Sequence, residues 1–220
     1  MTGSLLCYGR TAFFYKISVS LRRKAIPMLG LKLLTDPRWA NIAEANLEEI
    51  LTDHAWCEQK AASNAITLIT QNPEHQDLVH ELTAIAIEEM QHFQMVIDII
   101  KRRGYTLGRE RKDDYVNQLM RFTKRDGSRN TAFIDRLLFA AMIEARSCER
   151  FRVLSKNIKD EELAGFYHDL MVSEASHYTT FLNFARQYTI DVDVERRWKE
   201  WLDFEGELIK SYGKKEHIHG

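Results

Sequence analysis

The sequence predicts an all-α protein organised as a bundle of four long helices. Its 220 residues include only 3 prolines and 10 glycines, and long runs are rich in Leu, Ala, Glu, Lys and Arg. Proline and glycine interrupt helices, whereas the other residues favour them. Four stretches also place apolar residues at the three- and four-residue spacing of an amphipathic helix. A chain of this length can bury one sizeable core.

Capping residues and apolar stripes set the expected helix boundaries. Thr35 or Asp36 can cap a short first helix that has Pro37 at its first position. Asn72 and Pro73 separate the first two long helices, with Asn72 as the cap of the second. The stripes predict four long helices, over 43–71, 73–103, 130–157 and 159–188. We also expect a short helix over 112–124, between the second and third long helices, and a last helix after residue 191 that packs outside the bundle.

Residues 1–27 differ from the rest of the chain and are predicted to be an N-terminal extension. This stretch is basic, contains no acidic residue and lacks helical periodicity. Either Met1 or Met28 is the native start, and in the second case the extension is non-native; a disordered or weakly amphipathic arm is the alternative. We expect the bundle to occupy 28–213 and a polar tail to occupy 214–220.

The bulk composition limits the class of protein. Hydrophobic residues make up 45% of the chain and charged residues 29%, which is typical of a globular protein. The three cysteines are odd in number and lack CxxC spacing, so they indicate neither a disulfide framework nor a zinc site. No apolar run reaches the roughly 18 residues of a membrane span. We therefore expect a cytoplasmic protein with no membrane partner.

The four long helices form two copies of one helical hairpin. Glu58 precedes Glu89 by 31 residues, and Glu144 precedes Glu174 by 30. In each copy one acid lies about four turns before the connecting turn and the other about four turns after it, so antiparallel packing brings both to the same height. The segment between the copies is long enough for the second hairpin to return in parallel with the first, as in ferritin-like bundles.

A Glu-x-x-His motif lies in the middle of an apolar face in both hairpins. Residues three apart share a helix face, so each motif can present a carboxylate oxygen and a ring nitrogen to one point. With one more glutamate from each hairpin, this is the ligand set of di-iron and di-manganese proteins of ferritin-like fold. Oxygen and nitrogen ligands without thiolate favour iron or manganese over zinc or copper. We predict six metal ligands, which act in catalysis through the metals: Glu58, Glu89, His92, Glu144, Glu174 and His177.

Charge balance supports this prediction. Four buried carboxylates without cations would destabilise the core, whereas two divalent ions supply four positive charges. The alternative is a pair of core histidines with salt bridges nearby, but these apolar stripes lack the basic residues that such salt bridges need.

Several neighbouring residues leave alternatives open. Glu149 is a rival of Glu144, but it is out of phase with the stripe and only nine residues from the turn. Glu88 either supports the ligands from behind or is an exposed acid, and His54 either supports a ligand or lines the mouth of a pocket. We expect surface positions for His75, His80 and His168. Cys57 and Cys148 are expected in the core, with the lining of the cavity as the alternative. For Arg146 and Arg150 we expect ion pairs with acids on neighbouring helices, and the alternative is that they border the pocket.

Short strings around these residues resemble the tRNA 2-methylthio-isopentenyl-adenosine hydroxylases. They are DHAWCEQKAA at 53–62, EMQH at 89–92, IEARSCERF at 143–151 and SEASH at 173–177, with LTDPRW at 34–39 at the start. The metal ligands alone are common to many ferritin-like proteins, whereas the strings with Cys57 and Cys148 are more specific. The similarity extends from about residue 28 to the C terminus and favours Met28 as the native start.

The resemblance implies a non-haem di-iron monooxygenase that uses O2 to hydroxylate the isopentenyl side chain of a modified adenosine beside the tRNA anticodon. The resemblance also implies that the six residues predicted above correspond to the family's metal ligands and hold two iron ions, with manganese as the alternative metal. The sequence has no dinucleotide or flavin fingerprint, so a separate reductase or other electron donor is expected. Ala61, Ala62 and Ala65 would leave space for the prenyl tail.

Residues 101–129, here called the basic connector, contain ten Lys and Arg and four acids. Lys and Arg position an RNA through its phosphates, and loop bases are then splayed into a pocket. The connector is therefore the candidate contact for the tRNA anticodon arm, although its composition fits a solvated loop equally well. No DNA partner is expected. The candidate contacts as a group are Arg109, Arg111, Lys112, Lys124, Arg125 and Arg129.

Three other functions fit parts of the pattern. A ferritin-like ferroxidase or iron-storage protein would use the same ligands but would need a symmetric cage. A rubrerythrin-like peroxidase is disfavoured because the rubredoxin cysteines are missing. A purely structural bundle would bind no iron.

Overall fold

The computed structural model describes residues 28–124 and 127–211. Within these residues the chain forms a 3-10 turn at Met28–Gly30 and seven α-helices, and no helix is long and apolar enough to cross a bilayer. The helices are α1 (Trp39–Ala45), α2 (Leu47–Gln71), α3 (Gln76–Arg102), α4 (Asp114–Phe122), α5 (Arg129–Asn157), α6 (Glu161–Tyr188) and α7 (Val194–Ser211). The predicted extension 1–27, the tail 214–220 and Arg125 lie outside the described residues.

The bundle consists of two helical hairpins. Helices α2 and α3 pack as the first hairpin, and α5 and α6 as the second; α2 also lies beside α5, and α3 beside α6. Helix α4 lies within the basic connector and packs on α5, and α7 packs on the outer side of α5. The predicted all-α, ferritin-like four-helix bundle with an additional C-terminal helix is therefore confirmed.

Two predicted caps are wrong. Asn72 ends α2, with its side-chain amide donating to the Leu68 carbonyl, and α3 begins only at Gln76. Helix α1 begins at Trp39, so neither Thr35 nor Asp36 caps it. Both residues bond elsewhere because better partners are within reach. Asp36 accepts a hydrogen bond from the Arg38 N–H, and Thr35 donates its N–H and hydroxyl to Glu149, over 3.0 and 2.6 Å.

The predicted first long helix is broken near its start. Asn46 has φ −130° and ψ 44°, outside the helical region, and its side-chain amide donates to the Ile42 carbonyl. Competition of this kind between an asparagine side chain and the helical backbone is common. The segment predicted as 43–71 is therefore the end of α1 followed by α2.

Two apolar clusters fill opposite ends of the bundle. The first joins α1 to the start of α2, the end of α3, the end of α5 and the start of α6, through residues such as Ile50, Val96, Phe151 and Leu163. The second joins the other halves of the same helices to α4 and α7, through residues such as Leu68, Leu82, Leu137 and Phe181. On every long helix, the predicted ligands lie where one cluster meets the other.

A buried guanidinium connects α7 and the N-terminal segment to the bundle. Arg146 of α5 donates its Nε to Glu205 over 2.8 Å, one terminal nitrogen to Glu149 over 3.0 Å and the other to the Leu33 carbonyl over 3.0 Å. Tyr115 of α4 donates to the same Glu205 oxygen. The ion pairs predicted for Arg146 are therefore present.

Arg150 behaves differently from Arg146. Its guanidinium carbon lies 4.3 Å from the centre of the Trp39 ring, and no acid among the described residues forms an ion pair with it. The ion pair predicted for Arg150 is wrong, because the neighbouring Arg146 already engages both nearby acids, Glu149 and Glu205. A cation–π contact takes its place.

Replacing Arg146 by alanine is expected to lower the free energy of unfolding by about 3–5 kcal/mol, because Glu149 and Glu205 would remain buried without their cation. Lys210→Ala is the control, since that lysine forms an exposed pair with Glu207 and should change stability by less than about 1 kcal/mol. Urea unfolding measures both. Equal effects of the two substitutions would contradict the role of Arg146.

Candidate metal centre

The six predicted ligands converge between the two apolar clusters, and we call them the carboxylate–histidine cluster. They form two groups of four in which one ligand atom from each residue lies within 4.8 Å of the others. Glu89 and Glu174 belong to both groups. Glu58 and His92 complete the first group, and Glu144 and His177 complete the second. The arrangement can hold two cations with two glutamates between them.

Both histidines face the cluster with the same ring atom. Nδ1 of His92 lies 3.5 Å from Glu89 and 3.7 Å from Glu58, and Nδ1 of His177 lies 2.9 Å from Glu89. The Glu-x-x-His spacing places each histidine on the same helix face as the glutamate of its own motif. The packing of α3 beside α6 then brings His177 to Glu89. Both Nε2 atoms are left to point away from the cluster.

The donor set fits divalent cations. Both oxygens of Glu89, one oxygen of Glu174, and Nδ1 of His92 and of His177 are buried and form no hydrogen bond of good geometry among the described residues, although Nδ1 of His177 lies only 2.9 Å from Glu89. Buried polar atoms in proteins almost always have such a bond, so this concentration of atoms without one needs an explanation. Cations between the carboxylates would satisfy all of these atoms together.

In the absence of cations, protons must compensate the buried charge. Burial and the neighbouring Glu58 raise the pKa of Glu89 to about 8, and burial next to Glu144 raises the pKa of Glu174 well above its ordinary value. Burial alone would lower the pKa of both histidines, but the contacts with Glu58 and Glu89 raise that of His92 to about 10. Contacts with Glu89 likewise raise the pKa of His177 to about 9.

His54 lies against the predicted ligand Glu58 and is too deeply buried to line the mouth of a pocket. Its side chain is fully buried, and Nε2 lies 2.6 Å from an oxygen of Glu58. The ring packs against Phe151 and Tyr167, with centroid distances of 4.9 and 5.6 Å. Of the two alternatives left open by the sequence, the position of His54 fits the first, support of Glu58, and not the second.

Glu88 is both exposed to solvent and in contact with the cluster, the two alternatives that the sequence left open. The side chain is 46% exposed, yet one oxygen accepts a hydrogen bond from Ser173 over 2.5 Å and the other lies 3.1 Å from Nε2 of His177. A helix position about 100° from the apolar stripe places it at the border between solvent and the cluster.

The structure brings Glu144 into the cluster and places its rival elsewhere. Glu149 is buried on the far side of α5, where it binds Thr35 and Arg146. Cys148 is buried as predicted, and His80 and His168 are exposed. The surface position predicted for His75 is wrong: its ring is half-buried and lies against Tyr188 and Phe133, at centroid distances of 4.1 and 5.5 Å.

An apolar cavity of about 200 Å³ lies beside the cluster. Glu144 belongs both to the cavity wall and to the cluster. Of the alanines predicted to make room for a prenyl tail, Ala61 lines the cavity, whereas Ala62 and Ala65 are buried in the core. The wall comes from α2, α4, α5 and the residue before α4: Cys57, Lys60, Ala61, Asn64, Asp113, Val116, Met120, Phe139, Ala140, Ile143 and Glu144.

The part of this wall that α4 provides could not be identified from the sequence. Val116 and Met120 lie in a short connector helix, and no periodicity indicates which helix it covers. Cys57 is half-buried and lines the cavity, so the alternative left open by the sequence is correct for this residue and the core position is not.

The basic connector divides into paired and unpaired cations. Arg111 binds Glu49, and Arg129 binds Glu74 and the Gln71 carbonyl. Among the described residues of the connector, five exposed cations have no ion-pair partner: Lys101, Arg109, Lys112, Arg121 and Lys124. All of them except Lys101 lie shortly before α4 or at its end. Most of the unpaired charge is therefore next to the helix that covers the cavity.

The fold and the cluster define a ferritin-like helical protein with a buried carboxylate–histidine centre. The chain is similar to the solved structure of protein 43 with aldehyde deformylating oxygenase activity from Synechococcus, with a TM-score of 0.80 and 29% identity over 86% of this chain and 95% of that one.

Residues 25–220 match the model of one particular family, described as tRNA-(MS[2]IO[6]A)-hydroxylase (MiaE), and the chain belongs to that family. Two relatives carry the name tRNA 2-(methylsulfanyl)-N(6)-isopentenyladenosine(37) hydroxylase. The one from Pseudomonas putida is 38% identical over 84% of this chain and 89% of its own length. The one from Salmonella typhimurium is 26% identical over 94% of both chains. The family resemblance in the sequence is confirmed.

The stability of the metal-free protein is expected to fall as pH rises from about 6 to 9. Between pH 4.5 and 8, folded Glu89 keeps a proton that the unfolded chain releases. Above pH 6.5, folded His92 and His177 keep protons until pH values of about 10 and 9, so the stability that they contribute is also lost as pH rises.

Urea unfolding in the presence of a chelator tests this pH dependence, with Mn²⁺-loaded protein as the comparison. Cations bind deprotonated ligands, so stabilisation by Mn²⁺ should increase over the same pH range. A metal-free protein that becomes more stable from pH 6 to 9 would contradict the electrostatics of the cluster.

Proposed function

We propose that the protein is an O2-dependent di-iron monooxygenase that hydroxylates the isopentenyl side chain of 2-methylthio-isopentenyl-adenosine in tRNA. Its family and its two named relatives support this reaction. The observation that carries the proposal is the position of Glu144, which lies in the carboxylate–histidine cluster and in the wall of an apolar cavity. A C–H bond of a group in that cavity is therefore next to the candidate metal ligands.

Two iron ions are the cofactor that we propose, held by the six residues of the cluster. When bound, they supply the redox chemistry that inserts one oxygen atom of O2 into a C–H bond. The second oxygen atom leaves as water, so each turnover needs two electrons and two protons. A separate reductase or other electron donor supplies the electrons, because the sequence has no flavin or dinucleotide fingerprint.

The cavity residues orient the prenyl tail and exclude water. Ala61 and Ala140 leave space between α2 and α5. Phe139 and Ile143 provide an apolar wall, which favours an apolar group over a polar one. Holding the reacting carbon close to the oxidising centre accounts for much of the rate that an enzyme can achieve. An apolar cavity of this kind distinguishes a hydroxylase from a ferroxidase, whose only substrate is a metal ion.

We propose that the surface around α4 binds the anticodon arm of the tRNA substrate. Unpaired Arg109 and Lys112 precede α4, and Arg121 and Lys124 lie at its end. Cations in this arrangement can hold phosphates on either side of a base that has left its stack. Arg111 and Arg129 are already paired within the protein and become weaker candidates than the sequence suggested.

Filling the cavity should block hydroxylation without removing the metals. We expect Ala140→Phe to lower the rate by about 100-fold, since the reacting carbon could no longer approach Glu144. Mass analysis of nucleosides from tRNA incubated with enzyme, reductant and O2 measures the gain of one oxygen atom. Ala84→Phe, at an exposed position of α3, is the control. Wild-type rates in Ala140→Phe would exclude this cavity as the prenyl site.

Charge reversal next to α4 should weaken tRNA binding. For Lys112→Glu combined with Arg121→Glu, we expect a lower affinity and a salt dependence whose log–log slope is smaller by about 2, because two phosphate contacts are lost. Lys199→Glu on α7 changes a lysine that lies outside the connector and serves as the control. Equal effects of these variants on titrations with anticodon-arm RNA would show that the surface around α4 does not bind the RNA.

A further inference from the structure

We infer that Glu88 is a positioning residue whose single carboxylate orients both histidines of the carboxylate–histidine cluster. The inference rests on the proposed function, because it assigns a role to Glu88 only if His92 and His177 bind metal ions. Glu88 itself lies outside the two groups of candidate ligands.

The two oxygens of Glu88 face the outer nitrogens of the two rings. One oxygen lies 3.1 Å from Nε2 of His177, at hydrogen-bond distance, and the other lies 3.8 Å from Nε2 of His92, a contact longer than a hydrogen bond. A neutral imidazole that gives its Nδ1 lone pair to a cation carries its proton on Nε2. A carboxylate next to Nε2 accepts that proton in a hydrogen bond, which fixes the tautomer and the ring plane.

Equivalent positions of the two hairpins build this contact. Glu88 immediately precedes Glu89, and Ser173 immediately precedes Glu174, so the two residues occupy the same place before each Glu-x-x-His motif. The Ser173 hydroxyl donates to Glu88 over 2.5 Å across the α3–α6 interface. Two carboxylates at these positions would repel each other. A serine opposite one glutamate instead holds a single carboxylate between both rings.

The location of Glu88 separates this role from folding. Its side chain is 46% exposed, whereas both rings that it contacts are less than 10% exposed. A substitution at residue 88 therefore removes a contact to the histidines without opening a cavity in the core. The effect should appear in metal binding more than in the stability of the metal-free protein.

Anaerobic titration of the metal-free full-length protein with Fe²⁺ tests the inference, with Co²⁺ absorption spectra as a second readout of ligand geometry. We expect Glu88→Ala to weaken Fe²⁺ binding by about 10- to 100-fold, the usual effect of losing a group that orients a metal ligand. Glu88→Gln retains one acceptor oxygen, which can serve one histidine only. It should therefore weaken one of the two sites more than the other.

Two further variants complete the test. Ser173→Ala should give a smaller loss than Glu88→Ala, because the carboxylate remains but is held less firmly. Glu81→Ala, two turns earlier on the exposed side of α3, should bind Fe²⁺ as the wild type does. Wild-type affinity and an unchanged Co²⁺ spectrum in Glu88→Ala would overturn the inference, whereas a wild-type protein that binds no Fe²⁺ would overturn the proposed function itself.

Discussion

The burial of four carboxylates in the middle of a helical bundle is the constraint on which the rest of the structure depends. Each unpaired buried charge costs several kcal/mol, so a core that contains Glu58, Glu89, Glu144 and Glu174 is stable only with compensating positive charge. Protons on the glutamates and histidines provide part of it in the metal-free chain. Two apolar clusters, one at each end of the bundle, provide the stability that allows a polar layer between them.

The two hairpins supply similar ligands, but the faces around the cluster have different properties. On the side of α2 and α5, Glu144 borders an apolar cavity that α4 covers, and unpaired cations lie at both ends of α4. On the side of α3 and α6, Glu88 and Ser173 close the outer edge of both histidines. The symmetric set of candidate ligands therefore has a proposed substrate side and a supporting side, and the connector and α7 provide the asymmetry.

The sequence predicts most of this arrangement because helical periodicity fixes which side chains share a face. The bundle, the two hairpins and the meeting of all six candidate ligands follow from spacing alone. Helix ends were harder, since Asn46 and Asn72 bond to the preceding turn in a way that only the folded backbone shows. The prediction of the cavity wall is incomplete, because nothing in the residue spacing indicates where α4 packs. The ion pair predicted for Arg150 is wrong because the neighbouring Arg146 already binds both nearby acids.

The most direct measurement of the central claim is metal analysis of protein purified from iron-replete cells, comparing Glu144→Ala with Glu149→Gln. Both positions are buried glutamates of α5, and only Glu144 lies in the cluster. The wild type and Glu149→Gln should contain about two iron ions per chain, the number that this class of ligand set holds. Glu144→Ala should lose this dinuclear occupancy. Equal iron content in the two variants, or no iron in the wild type, would contradict the account.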